Sequence, residues 1–137
     1  MGTSVWVVRR DAVDQDDNVD HSCMFDVSEQ LDQIAAAIGV RKVSEFFDWT
    51  DFDAAMSTDE PLEDYEYVAS ARWFDAQEAI PAIEALLAHL QESPEAAAYF
   101  TQADQTVSAL VSELQDVLDK LRRAASDNAP FNLSVVM

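Results

Sequence analysis

The pattern of apolar and polar positions along this chain changes period several times, and each change marks an element. The strongest signal is the stripe Val107, Leu110, Val111, Leu114, Val117, Leu118 and Leu121. It recurs at helical spacing and predicts a long last helix, with Lys120, Arg122 and Arg123 placed to favour the negative end of its dipole. Two runs have strand composition, Thr3 to Arg10 (TSVWVVRR) and, after a loop from Ser126 to Pro130, Phe131 to Met137 (FNLSVVM). An apolar terminus has to be covered, so the last strand is expected in a sheet beside the first.

Between these ends, Leu31, Ile34, Ala35 and Ile38 repeat at helical spacing before Gly39, and Asp26 and Glu29 have the spacing of a capping box. Val40 to Met56 (VRKVSEFFDWTDFDAAM) predicts one or two short helices with Ser44 and Thr50 as N-caps. Tyr67 to Phe74 (YVASARWF) alternates in part and predicts a strand. Asp75 and Glu78 then repeat the capping-box spacing ahead of Ile80, Ile83, Leu87 and Leu90. Pro81 interrupts that helix, since it has no N–H to donate, so the regular part is expected to begin near Pro81 after a separate turn. Ser93 and Pro94 restart a short helix to about Phe100. Asp11 to His21 and Ser57 to Glu66, rich in acids and poor in apolar residues, are expected to be loops. The result is one domain, residues 1–137, of α+β class: a small sheet including the N- and C-terminal strands, covered by three or more helices.

Charge changes this picture of an ordinary domain. The chain has 27 acidic residues against 8 basic, a formal charge of −19. Residues 11–66 hold 17 of the acids against Arg41 and Lys42, so 15 of the 19 excess charges lie there. Such a field repels nucleic acid and anionic membranes and attracts cations and basic proteins. No apolar run reaches the roughly 20 residues that span a bilayer, and no leader pattern opens the chain, so a cytoplasmic location is expected. Cys23 is the only cysteine, which rules out an internal disulfide and a cysteine-rich zinc site.

Catalytic motifs are scarce. Only Gly2 and Gly39 occur, so there is no glycine-rich phosphate loop and no dinucleotide fingerprint, and no cofactor is expected. Asp14, Asp16, Asn18 and Asp20 alternate as oxygen ligands do at the start of an EF-hand loop, but Val19 stands where the turn needs glycine and Phe25 where the closing glutamate belongs. His21, Cys23 and nearby Asp20 and Asp26 are the remaining candidates for a small metal-dependent hydrolase, without a second ligand group at a recognised spacing. His89 lies off the apolar stripe of its helix, where a surface or boundary histidine belongs.

The remaining feature is the aromatic and acidic segment Phe46 to Asp53, joined by Glu63, Asp64, Tyr65 and Tyr67. Aromatics give contact area and carboxylates steer a basic partner. Asp48, Trp49, Asp51, Asp53, Glu63, Asp64 and Tyr65 are the candidate partner-binding residues, while Phe46, Phe47, Trp49 and Phe52 are equally open to a core role instead, with the acids pointing to water.

The segments VRKVSEFFDWTDF (Val40 to Phe52) and WFDAQEAIPAIEALLAHL (Trp73 to Leu90), with the strand after Pro130, resemble a group of small acidic bacterial proteins of unknown function, and Pro81 departs from a smooth helix. The build also resembles toxin-immunity proteins, which cover the active surface of a toxin. The charge segregation and the absence of catalytic motifs point to a non-enzymatic inhibitor or immunity-type protein that engages a basic protein, either a toxin or a DNA-binding protein, through residues 11–66. A DNA mimic, with carboxylates standing in for phosphates, is the related alternative.

Overall fold

The computed structural model describes residues 3–12, 19–57, 63–100 and 103–136. In chain order the elements are β1 (Ser4–Arg9), α1 (Ser22–Asp26), α2 (Ser28–Ile38), a 3-10 turn (Val43–Phe46), β2 (Phe47–Asp48), α3 (Thr50–Ser57), α4 (Asp64–Ser70), α5 (Ala76–Glu92), a second 3-10 segment (Pro94–Tyr99), α6 (Ala103–Ser126) and β3 (Phe131–Val136). This is the expected α+β class, with both terminal strands in one sheet.

Strand β3 is buried at every position and is the middle strand, in the order β1-β3-β2. β1 pairs with it antiparallel, from Ser4 opposite Val136 to Arg9 opposite Phe131. β2 is only two residues long and pairs parallel, Phe47 opposite Leu133 and Asp48 opposite Ser134. Phe74 extends that second edge through an isolated bridge: its N–H donates to the Phe131 carbonyl at 2.8 Å, and the Phe131 N–H donates back at 2.9 Å.

Alternation along the strands divides the sheet into two faces. Val5, Val7, Phe47, Phe131, Leu133 and Val135 join the main core with Leu31 and Ile34 of α2, Ile83 and Leu86 of α5, and Leu110, Leu114, Val117 and Leu121 of α6. The opposite face carries Ser4, Val8, Asp48, Asn132 and Ser134, all buried, so it is polar as well as covered. α3 lies against β3, and Tyr67 of α4 donates its hydroxyl to Asn132 Oδ1 at 3.2 Å and shares a hydrogen bond with Ser134 Oγ at 2.8 Å.

Several local expectations give way to tertiary structure. The segment around Asp26 is broken into α1 and α2 at Val27, and Asp26 caps nothing because it ends α1. Gly39 does close α2, at φ 80°, and the Val40 N–H returns to the Ala35 carbonyl at 2.9 Å. Ser44 lies inside the 3-10 turn, with its N–H on Asp32 Oδ1, and Thr50 is the first residue of α3 and not its cap.

Tyr67–Ser70, expected to be strand, belongs to α4, which also takes Asp64 to Glu66 out of the expected loop. Burying Tyr67 against the sheet decides this, and extended backbone returns only at Ala71, in time for the Phe74 bridge. α5 runs unbroken through Pro81 from Asp75, whose side chain accepts the Gln77 N–H at 2.9 Å. Glu78 supplies no reciprocal bond, because its carboxylate pairs with Arg41 at 2.9 Å. Pro81 is on the exposed face, where the carbonyl it leaves unbonded meets water. The restart at Ser93 and Pro94 is realised as the second 3-10 segment.

Replacing Pro81 by alanine is expected to raise stability by ~1–2 kcal/mol: the helix gain of up to about 3 kcal/mol is offset by the freer unfolded chain. Leu114→Ala, at a fully buried position of α6, should cost about 2–5 kcal/mol. Urea unfolding of both variants checks the opposite signs.

Candidate functional site

The aromatic and acidic segment divides as it leaves the sheet. Phe46 and Phe47 are core residues, Phe46 lying 5.4 Å from the Phe74 ring and 5.8 Å from that of Phe131. Phe52 is half-buried. Trp49 sits edge-on to Phe25 at 6.1 Å and to Phe52 at 5.2 Å, and is 42% exposed. The Trp49 carbonyl accepts the Asp53 N–H, so Trp49, Phe52, Asp53 and Met56 fall on one side of the first turns of α3. Met56 is 66% exposed and no residue of α3 is fully buried. On the neighbouring α4, Tyr65 is 74% exposed. An apolar path thus runs from the core through Phe52 and Trp49 to solvent.

Of the seven sequence candidates, six lie where a partner can reach them and one does not. Asp48 is buried, 2% exposed, and its carboxylate is fully engaged. Oδ2 accepts the Thr50 N–H at 3.1 Å, while Oδ1 accepts the Thr50 hydroxyl at 3.0 Å and the Arg72 N–H at 2.9 Å. Asp48 therefore positions α3 and the strand-like Arg72–Phe74 segment and does not face outward, which corrects its place among the contact residues. Trp49, Asp53, Glu63, Asp64 and Tyr65 are exposed, and Asp51 is half-buried.

The carboxylates of this face repel one another. Burial, followed by the charges of Asp48 and Asp64, raises the Asp51 carboxyl above its ordinary value. Asp51, Asp53, Asp64 and Glu66 lie in the first turns of α3 and α4, where the helix dipole favours them. Among the described residues no ion pair includes a carboxylate of α3, α4 or Glu63. The paired cations are Arg9 with Asp11 and Asp127, Arg41 with Glu45 and Glu78, Lys120 with Asp116, and Arg122 with Glu84.

Beneath this face is a polar cluster that the sequence reading did not find: Tyr67, Asn132 and Ser134, with Asn132 Nδ2 donating to the Arg72 carbonyl at 3.0 Å. Its sequence signal was only Asn and Ser inside an otherwise apolar strand. Burial pushes the Tyr67 hydroxyl up to about 12 despite its hydrogen bonds with Ser134 and Asn132, with Asp48 and Asp51 adding to the rise.

His21 and Cys23 have other roles. His21 is fully buried; Nδ1 donates to the Val5 carbonyl at 2.8 Å and Nε2 lies 2.7 Å from Asp116 Oδ2, which also meets Lys120 Nζ at 3.0 Å. Both ring nitrogens face acceptors, so the ring serves both only when each carries a hydrogen. Burial works to raise the Asp116 carboxyl, but hydrogen bonds from His21 and Lys120 outweigh it and hold the group below the usual carboxylate range. Glu113 of α6 accepts the N–H groups of Cys23 at 3.2 Å and Met24 at 2.8 Å, capping α1 from another helix. Burial and the carboxylates of Glu113 and Asp26 push the Cys23 thiol up, away from the thiolate a nucleophile needs.

Among the described residues no three His, Cys, Asp or Glu side chains are grouped to hold a metal ion, and no helix is long and apolar enough to cross a membrane. Asp20 accepts the Trp6 indole N–H at 2.6 Å; Asp14, Asp16 and Asn18 of the proposed cation loop lie outside the described residues. His89 is half-buried, as expected of a boundary position. No protein-family model matches the chain, and neither curated proteins nor solved structures show significant similarity to it.

Two variants test these assignments. Tyr67→Phe should cost about 1–2 kcal/mol by stranding Ser134 and Asn132. It should also remove the phenolate step near pH 12 in the ultraviolet titration and, with it, the fall in stability as pH rises from about 10 to 12, where only the unfolded phenol loses its proton. Asp116→Asn acts at the other end of the pH scale. Because the folded carboxyl titrates lower than the unfolded one, its stabilisation is complete above about pH 4 and disappears as pH falls through the folded value. The variant should be less stable near neutrality and converge on the parent in acid, as read by urea midpoints across that range.

Proposed function

We propose that this chain is a cytoplasmic, non-enzymatic binding protein that engages a basic protein through the face formed by α3 and α4, in the manner of an inhibitor or immunity-type protein. One observation carries the reading: Trp49, Met56 and Tyr65 are exposed among Asp51, Asp53, Glu63, Asp64 and Glu66, and among the described residues no basic side chain makes an ion pair with those carboxylates. Apolar anchors ringed by one sign of charge are what a partner of the opposite sign recognises, the anchors holding it and the charges speeding its approach. The burial of His21 between the Val5 carbonyl and Asp116, and the raised thiol of Cys23, support a binding reading over a hydrolytic one.

The test is capture of basic proteins from lysate at low and moderate salt by the parent chain and by an Asp51→Lys, Asp53→Lys, Asp64→Lys variant. A stoichiometric basic partner held by the parent and lost by the variant is expected, with association slowed about ten-fold or more at low salt and much less at high salt. Equal capture by both chains would remove the α3–α4 face from the reading.

A further inference from the structure

We infer that the segment received by the α3–α4 face is arginine-bearing, with guanidinium planes laid on the exposed Trp49 and Tyr65 rings and paired with Asp53 and Asp64; this rests on the reading above and specifies its partner. Charge complementarity decides between the possible occupants. A second copy of this chain would bring the same carboxylates against themselves across a two-fold axis, in a molecule of charge −19. Nucleic acid and anionic lipid are repelled for the same reason. A cationic polypeptide remains, and the chemistry of the face distinguishes between its two cations.

A lysine ammonium is a compact, strongly hydrated point charge that a carboxylate alone can satisfy. A guanidinium is planar and weakly hydrated; it stacks on an aromatic ring while its edge donates two parallel hydrogen bonds to a carboxylate. The α3–α4 face offers both groups: Trp49 lies on the same side of α3 as Asp53, and Tyr65 and Asp64 are both exposed in the first turn of α4. The fold already uses half of this arrangement internally. Arg41 lies 4.5 Å from the centroid of the Phe46 ring, with its guanidinium also paired to Glu78, and Arg72 lies 5.1 Å from that of Phe74. Among the described residues no cation covers Trp49 or Tyr65, although these are the more exposed rings.

The experiment titrates the chain with matched short peptides carrying arginine, lysine or neutral citrulline at the same positions, by calorimetry at low and moderate salt. The arginine peptide should bind about five- to ten-fold tighter than the lysine peptide, and the citrulline peptide not measurably. In a Trp49→Leu, Tyr65→Leu variant, which keeps apolar bulk but removes the rings, the preference should fall below about two-fold while salt-sensitive binding of both cationic peptides persists. Tyr65→Leu alone, at a position with little to unfold, should remove part of the preference. Equal affinity for arginine and lysine in the parent, or a preference that survives loss of both rings, would overturn the inference. If the cationic peptides bind equally yet weaken in the Asp51→Lys, Asp53→Lys, Asp64→Lys variant, the basic-partner reading stands and only the arginine anchor falls. Binding that is indifferent to those charges removes both.

Discussion

The complete burial of β3 is the constraint on which the rest of the molecule depends. A strand buried on both faces and paired on both edges must satisfy every backbone donor and acceptor within the protein and find a partner for every polar side chain it carries. β1 meets one edge along six residues. The other edge is assembled from two short pieces distant in sequence, Phe47–Asp48 and Phe74. Asn132 and Ser134 then require polar partners on the face away from the main core, and Tyr67 supplies them. Phe131, Leu133 and Val135 face the main core and Asn132 and Ser134 the other side, so a one-residue slip of this strand would bury polar groups against α2, α5 and α6.

The same constraint produces the α3–α4 face. Asp48 must enter the sheet beside Ser134 and yet remain a satisfied carboxylate, which it does by accepting the N–H groups of Thr50 and Arg72. Those bonds hold α3 and the segment leading to Phe74 against the second sheet edge. Tyr67, tied down from the other side, fixes α4. With these two points anchored, the remainder of α3 and α4 is left at the surface, and α3 buries none of its own residues completely. The exposure of Trp49, Met56 and Tyr65 follows from how the helices are anchored.

How much of this was legible in the sequence depends on where each element finds its stabilisation. The α6 stripe, the terminal strands and the Gly39 stop are encoded locally, in repeat spacing, β-branched composition and an αL residue, and each is where the pattern places it. α4 escapes the pattern because DYEYVAS has no apolar stripe of its own; a single buried tyrosine, bonded to residues 65 and 67 positions away in sequence, holds it. The break between α1 and α2 was hidden for a similar reason, since the α1 cap comes from Glu113, ninety positions along the chain from Cys23. For the candidate face, the sequence shows an aromatic and acidic segment but not which of its side chains point outward. Alternating aromatics and acids read alike whether Asp48 points inward and Trp49 outward or the reverse, and only the parallel pairing of β2 decides it.

The distribution of cations connects the fold to the proposed function. Among the described residues Arg9, Arg41, Lys120 and Arg122 make ion pairs, all with carboxylates outside α3, α4 and Glu63. Arg9 joins the end of β1 to the turn after α6, and Lys120 supports the contact between half-buried Asp116 and buried His21. Arg72, although next to the acidic face in the chain, turns its guanidinium onto Phe74. If the acidic residues served only for solubility, their positions would matter little, and pairing with Arg72 would offset the burial and, after it, the repulsion from Asp48 and Asp64 that raise Asp51. Instead, among the described residues the carboxylates nearest the exposed aromatic rings make no ion pair, and on the proposed reading an incoming cation would offset the burial and repulsion that raise Asp51. That offset is greatest for a cation that stays on the face long enough to be desolvated, and the rings beside the carboxylates provide the surface for it to do so.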